Sequence, residues 1–402
     1  MPSTTGQVYL GSNLINNLRF NNNPTWTRPA DWIAMPTITS SEQKVAALFL
    51  AGDNNSNFVA FRCAGNYTVD WGDGIIENVT SAVTAQHNYV FSDLSPTTEF
   101  GPVGSKSRQA MIVITPQAGQ NLTSIQTNFK HTSVASTVYT TPILEITLSA
   151  PNCTTLLIGG TQANLRLLEQ CTILSHKATG LANLFQNCSS LRSIPLFPIS
   201  PASSVGSMFL GCSSLQSVPL FDLSTVPNLN GMFSGCSSLR SVPLFNTAAA
   251  TNMSSMFQSC VSLQSVPAFN TAACTNMATM FQNCTSLQSI PAFNTAAATN
   301  MSSMFQNCVS LQTIPALNCS SATNMNSFAA TCHALKRCLA TGVRASVSFL
   351  NSTLSASNLN EIYSNLANLT SLPTQTITVT GNYGTATDNP AIATAKNWTV
   401  AG

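Results

Sequence analysis

Charged side chains are scarce in this sequence. Only 7% of its 402 residues are Asp, Glu, Lys or Arg, against roughly 25% in an ordinary soluble domain. The net charge at pH 7 is +2, with no basic run that could follow a phosphate backbone. We therefore expect a polar but almost uncharged surface and no nucleic-acid partner.

Long apolar segments are missing too. No stretch reaches the roughly 18 consecutive apolar residues that a membrane-spanning helix needs, so no membrane insertion is expected. The opening MPSTTGQVYLGSNL has neither the basic start nor the apolar segment of an export signal. The sequence therefore predicts a chain that is not exported by such a signal.

Residues arranged for catalysis are absent as well. His87, His131, His176 and His333 are scattered, and none has a cysteine, serine or carboxylate at a spacing typical of a triad or metal site. Motifs for phosphate loops, dinucleotides and hydrolase nucleophiles do not occur. We expect no enzyme and no cofactor.

The dominant feature that is present is a 24-residue repeat. Its cysteine ladder consists of Cys188, Cys212, Cys236, Cys260, Cys284, Cys308 and Cys332. Phenylalanine precedes six of these cysteines by three residues, and leucine follows all seven by three. Proline follows six of them by seven residues. Four columns in one register predict a stack of coils, each too small to bury its apolar side alone.

Each coil is predicted to contain a helix, a strand and a turn. One coil shows the helical apolar spacing i, i+3, i+4 and i+7 at Met253, Met256, Phe257 and Cys260. Thr251 or Asn252 is the expected N-cap. The strand is expected over residues 263–267, ended by Pro267, which cannot donate a ladder hydrogen bond.

The repeat resembles a known family. Residues 299–315, TNMSSMFQNCVSLQTIP, are similar to the BspA-type (treponemal-like) leucine-rich repeats of bacterial and phage surface proteins. The resemblance covers roughly residues 150–340 and implies a leucine-rich solenoid of seven coils. Because a fold does not fix a function, it implies adhesion or recognition only loosely.

The cysteines have three interpretations: disulfides, a metal site, or small buried hydrophobes. Thirteen is an odd number, and the ladder lacks the C-x-x-C spacing of a zinc site. We favour buried thiols that line the solenoid. Cys63, Cys153, Cys171, Cys274, Cys319 and Cys338 form no better constellation.

The outward positions of the predicted strands form a candidate binding face. Its members are Arg192, Gln216, Arg240, Gln264, Gln288 and Gln312, next to a column of serines and one threonine. Residues 181–332 contain only three charges in 152 residues. Stacked Gln and Ser could simply hydrogen-bond to one another along the sheet. Alternatively, a flat uncharged face suits glycans or another copy of the protein.

Ahead of the repeats, short strands separated by turns predict a β-sandwich. The turn Asp70, Trp71, Gly72, Asp73 and Gly74, followed by His87-Asn88-Tyr89, resembles the signature of PKD-like immunoglobulin-type sandwiches. The resemblance implies that the glycines adopt positive φ, Trp71 packs in the core and the aspartates cap turn amides. A calcium site at Asp70 and Asp73 is the alternative, although two carboxylates make a poor cage for calcium.

The expected architecture is therefore α+β and multidomain. Residues 1–44 form an N-terminal arm or anchor, 45–150 the sandwich, 151–340 the solenoid and 341–402 a capping segment. In the cap, Ser355 leads into a helix, residues 376–380 form a strand, and a last helix runs from Asn389 to Trp398. This segment would cover the apolar end of the last coil.

The function expected from these features is structural and non-enzymatic. The first hypothesis is a bacteriophage virion surface protein, such as a head decoration, fibre or receptor-binding subunit. Its partners would be other virion proteins, copies of itself, or a host surface glycan or protein. The alternatives are a bacterial cell-surface adhesin and a filament subunit.

Overall fold

The computed structural model describes residues 8–10, 13–15, 29–53, 57–99, 106–134, 139–160, 163–199 and 202–402. Half of the predicted N-terminal arm, residues 1–44, lies outside the described residues. The chain divides into two compact units, the first comprising Met1–Pro201 with Cys212–Pro219 and the second Ala202–Gly211 with Leu220–Gly402. Within the described ranges, no helix combines the length and the apolar character needed to cross a membrane.

The first unit is built from short strands. They are β1 Val8–Leu10, β2 Asn13–Ile15, β3 Lys44–Gly52, β4 Asn57–Ala64, β5 Tyr67–Asp70, β6 Ile76–Val79, β7 Thr84–Tyr89, β8 Ser107–Pro116, β9 Ser124–Gln126, β10 Tyr139–Thr140, β11 Ile143–Ser149, β12 Thr155–Leu157, β13 Ala163–Asn164 and β14 Gln170–Ile173. Phe91–Asp93 and Pro96–Thr98 are single turns of 3-10 helix. Strand β7 ends at Tyr89, and Phe91 lies in a 3-10 turn.

Two larger sheets share the core of this unit. One has the order β14-β11-β3-β8-β5-β6 and the other β12-β9-β4-β7. Phe49 on β3 stacks on Tyr89 of β7, with ring centroids 4.5 Å apart. Pairing becomes parallel towards the repeats, where β11 pairs with β14 and β9 with β12. The predicted domain boundary at residue 150 therefore falls inside continuous sheets.

Strand β3 is covered on both faces. Phe49 faces the second sheet, while Leu48 and Leu50 point the opposite way and pack with Trp32. The Gln109 side chain fixes the segment that carries Trp32, because its Oε1 accepts the N–H of Ile33 at 2.8 Å. The segment that carries Trp32, Ile33 and Met35 thus covers one face of this sheet.

The predicted repeat helix is wrong in conformation. In one coil the N–H groups of alternate residues donate to carbonyls 23 residues later at 2.8–3.0 Å; the donors are Met253, Ser255, Phe257 and Ser259. The N–H groups of Met256, Gln258 and Cys260 donate to carbonyls three residues earlier. The segment is therefore a run of tight turns joined to the next coil, whereas an α-helix would use its donors internally.

Left-handed backbone recurs at two positions of every coil. The first column is Asn183, Ser207, Gly231, Ser255, Thr279, Ser303 and Ser327, and the second is Asn187, Gly211, Gly235, Ser259, Asn283, Asn307 and Thr331. The chain thus changes direction every fourth residue, and Met253, Met256, Phe257 and Cys260 all remain fully buried. The helical spacing therefore predicted the correct inward residues but the wrong backbone.

The predicted strand over residues 263–267 is also absent. In this stretch only one N–H per coil donates to the neighbouring coil; for example, the N–H of Gln288 donates to the Gln264 carbonyl at 3.1 Å. The next ladder bond would need an N–H at the proline position, which proline lacks. Where Leu339 replaces that proline, its N–H donates to Ile314, and the paired strands β15 Thr313–Ile314 and β16 Arg337–Cys338 form.

Substitutions at Gly235 test the left-handed columns. Gly235 has a φ of +74°, and an added Cβ would meet only ordinary contacts. We expect Gly235→Val to lower the free energy of unfolding by about 1–2 kcal/mol, because a branched side chain disfavours this backbone. Gly235→Asn should cost less, since Asn283 and Asn307 occupy the equivalent position. Urea denaturation of both variants measures this, and equal losses would show that backbone conformation is not the cause.

The second unit ends in a small closing structure. It contains β17 Val347–Ser348, α1 Ala356–Asn365, β18 Gln375–Thr378, α2 Ala391–Thr394 and β19 Trp398–Ala401. The helix predicted to follow Ser355 is confirmed as α1, and the Ser355 side chain caps it by accepting the N–H of Asn358. The last helix ends earlier than predicted, since Trp398 begins β19, which pairs in parallel with β18.

Candidate functional site

The cysteine ladder is structural in character. All thirteen cysteines are free and buried. Six ladder thiols donate to the carbonyl of the phenylalanine 27 residues earlier; they are Cys212, Cys236, Cys260, Cys284, Cys308 and Cys332. Burial raises the pKa of the Cys284 thiol to about 12, which keeps it protonated and unreactive. Among the described residues no group of three or more His, Cys, Asp or Glu could hold a metal ion.

The Asp70–Gly74 turn is held by its own aspartates. Asp70 Oδ1 accepts the N–H of Gly72 at 3.0 Å, and Asp73 Oδ1 accepts that of Ile75 at 3.1 Å. Gly72 and Gly74 have φ values of +79° and +94°, as predicted. At Gly72 a Cβ would lie 2.5 Å from the Met111 carbonyl oxygen, so only glycine fits.

The rest of this motif forms a buried polar cluster. Trp71 is fully buried, and its carbonyl accepts the Tyr89 hydroxyl at 2.6 Å. His87 stacks on the Trp71 ring, and its Nε2 lies 2.7 Å from Asp73 Oδ2. The pairing of His87 with Asp73 was not predicted, although both residues belong to the motif that resembles the PKD-like signature. Because Asp70 and Asp73 each cap the turn, this cluster has a sufficient structural role.

The structure divides the candidate binding face. Arg240, Gln264, Gln288 and Gln312 are exposed and Gln216 is half-buried. Arg192, in contrast, is only 9% exposed, so its prediction as an outward residue is wrong. Position in the coil sets the direction of a side chain, but its burial also depends on what packs around it. Arg192 lies in the first repeats, which adjoin irregular segments.

Two other polar columns on the second unit form hydrogen bonds between neighbouring coils. The Gln258 amide donates to Gln282, and the Gln282 amide donates to Gln306, at 2.5 and 2.6 Å. The hydroxyls of the threonine column donate to the carbonyl one coil earlier; this column is Thr251, Thr275, Thr299 and Thr323. Both columns therefore fasten neighbouring coils together.

A third column differs because its side chains stay open. We call it the open strip; it consists of Gln264, Gln288 and Gln312 with Ser265, Ser289 and Thr313, all exposed. None of these six side chains has a hydrogen-bond partner within the part of the chain that the structure describes. The interpretation in which stacked Gln and Ser bond along the sheet therefore does not hold at these positions. Their amides and hydroxyls can donate to and accept from an external group.

Comparisons with known proteins concern the same region. Residues 179–289 and 240–341 match the model of a family described as "Mycoplasma protein of unknown function, DUF285". The family match falls on the repeats. The chain is rich in short strands in its first unit and repeats every 24 residues beyond it, and the match covers the coils that carry the open strip.

One similar solved structure is a leucine-rich repeat protein from Eubacterium ventriosum. It is 18% identical, with a TM-score of 0.30, and the alignment covers 50% of this chain. This chain spans only 45% of that protein's length. No curated protein matches the sequence.

Proposed function

We propose that this chain is a non-enzymatic virion surface protein of a bacteriophage, a head decoration, fibre or receptor-binding subunit. In this proposal a PKD-like sandwich precedes a leucine-rich solenoid of seven coils. The solenoid uses its neutral face for contacts with protein or glycan. The observation that carries the proposal is the open strip, a column of exposed amides and hydroxyls that, unlike the Gln258 and Thr251 columns, is not used to join coils.

The state of the cysteines favours assembly inside the cell. Thirteen buried thiols without a disulfide suit a chain that folds in a reducing compartment, as a protein released by lysis does. A chain exported unfolded into an oxidising space would risk incorrect pairing of these thiols. The alternative function is a bacterial cell-surface leucine-rich-repeat adhesin, which is equally consistent with the match to a family described from Mycoplasma.

The proposal is tested on purified particles. Lysis of cultures that encode the chain should release virions in which mass spectrometry detects it, and protease treatment of intact particles should cleave it. The purified protein should also compete with these particles for adsorption to the host. If the chain is missing from the particles but found on the surface of intact cells, the adhesin alternative replaces the virion role.

A matched pair of triple variants assigns the contact to the open strip. Replacing Gln264, Gln288 and Gln312 by Ala should abolish competition while changing the free energy of unfolding little, since surface substitutions usually cost within about 0.5 kcal/mol each. Replacing Gln258, Gln282 and Gln306 by Ala should leave competition intact and lower the free energy of unfolding, because it removes hydrogen bonds between coils. Competition that survives the first triple variant would show that the open strip is not the contact surface.

A further inference from the structure

From the open strip, and resting on the function proposed above, we infer that the ligand is a neutral, unbranched polysaccharide. Its rings would lie along the strip, one per coil. The strip repeats one chemical pattern, an amide followed by a hydroxyl, in three successive coils. The N–H of Gln288 donates to the Gln264 carbonyl at 3.1 Å, so neighbouring members stand one strand spacing apart, about 4.8 Å. A β-1,4-linked chain of pyranose rings advances by a similar step per ring. Because alternate rings are inverted, neighbouring coils would meet opposite ring edges, and both edges carry hydroxyl groups.

The charge distribution selects a neutral ligand. Residues 241–332 contain no Asp, Glu, Lys or Arg. At one end of the strip stands Arg240, and beyond the other end Arg337 is paired with Glu361 at 2.6 Å. An anionic polymer would find no cation along the strip itself, whereas uncharged hydroxyl groups match the amides in donors and acceptors.

An aliphatic shoulder accompanies the polar groups. Three residues after each hydroxyl position, the second unit exposes Leu244, Ala268, Ala292 and Ala316. Leu244 is 59% exposed, and the proline before it is half-buried. A pyranose ring has hydroxyls at its edge and C–H groups on its face, and this combination fits an amide beside an aliphatic surface.

A protein partner fits the strip less well. The centres of protein interfaces are rich in aromatic residues, Met and Arg. The open strip contains none of these; its amides are identical from coil to coil, and each is followed by a hydroxyl from serine or threonine. Repeated identical groups match a repeating ligand, whereas a folded protein surface seldom repeats at the coil spacing.

The inference is tested by calorimetric titration with a length series of cello-oligosaccharides and chito-oligosaccharides. Affinity should rise with chain length and level off once the strip is covered. Gln288→Ala should weaken binding about fivefold, the loss expected for one hydrogen bond. Gln282→Ala is the control: Gln282 lies six residues earlier, in the column whose amides bond to neighbouring coils, and its loss should leave affinity unchanged. Length-independent affinity, or equal effects of the two variants, would overturn the inference.

Adsorption to treated host cells separates this inference from the proposed function. Binding that survives protease treatment of the cells but is lost after glycan oxidation supports a polysaccharide. Loss on protease treatment alone identifies a protein receptor, which overturns the polysaccharide and leaves the virion role intact. Failure of the chain to appear in particles at all is a failure of the proposed function, whatever the oligosaccharides show.

Discussion

Phe281→Asp is expected to prevent the second unit from folding. Phe281 is fully buried in a column of stacked rings, with centroid distances of 5.7 Å to Phe257 and 5.9 Å to Phe305. It also stacks at 6.1 Å on Phe293, a member of a second, interleaved column. Truncating such a ring costs about 3–5 kcal/mol, and an unpaired buried carboxylate adds to this. Because each coil relies on its neighbours, the damage should spread along the stack.

Circular dichroism and chemical denaturation measure the effect. Phe281→Asp should lose the cooperative unfolding transition, whereas Phe281→Leu should keep it with a loss of about 1–3 kcal/mol. Gln288→Ala, on the open strip, should change stability by less than about 0.5 kcal/mol. Similar losses for Phe281→Asp and Gln288→Ala would contradict the assignment of inside and outside.

Raising the pH above about 9 is expected to unfold the second unit. Seven of its thiols have a raised pKa because burial disfavours the thiolate; they are Cys260, Cys274, Cys284, Cys308, Cys319, Cys332 and Cys338. In the unfolded chain a thiol ionises near pH 8.5. Above that pH the unfolded state releases protons that the folded state retains, so stability is complete below it and falls as the pH rises.

The loss is steep because the thiols act together. Each contributes about 1.4 kcal/mol per pH unit, and seven contribute about 10 kcal/mol per unit, which is comparable to the whole stability of a domain. We expect a sharp transition between about pH 9 and 11, detected by circular dichroism together with the ultraviolet absorbance of thiolates. Cys284→Ala should reduce the slope of the free energy of unfolding against pH by about 1.4 kcal/mol per pH unit. Thiolate absorbance that rises near pH 8.5 without unfolding would show that the cysteines are exposed.

Which residues of the repeats face the core and which face solvent could largely be predicted from their spacing. The apolar columns recur every 24 residues, and Phe257, Cys260 and Leu263 are all fully buried as expected. Spacing could not predict the backbone, because consecutive tight turns and a helix both place i, i+3, i+4 and i+7 on one side. The small residues at the two left-handed columns were the available signal.

The candidate site was only partly predictable. Spacing placed Gln264, Gln288 and Gln312 on one outward column. Spacing alone could not separate them from Gln258 and Gln282, which repeat with the same period. Whether neighbouring amides meet depends on side-chain direction and on the distance between coils, and both are set by packing.

The register of the coils, the identity of the buried columns and the lack of charge along the stack all follow from the amino-acid sequence. A fixed period with fixed residue types leaves one stacked arrangement that buries them all. Which N–H groups bond to the next coil depends on the tertiary structure, because their acceptor carbonyls come within reach only when that coil is in place. The tertiary structure also decided the pairing of His87 with Asp73, the burial of Arg192, and which of the glutamine columns stays open to a ligand.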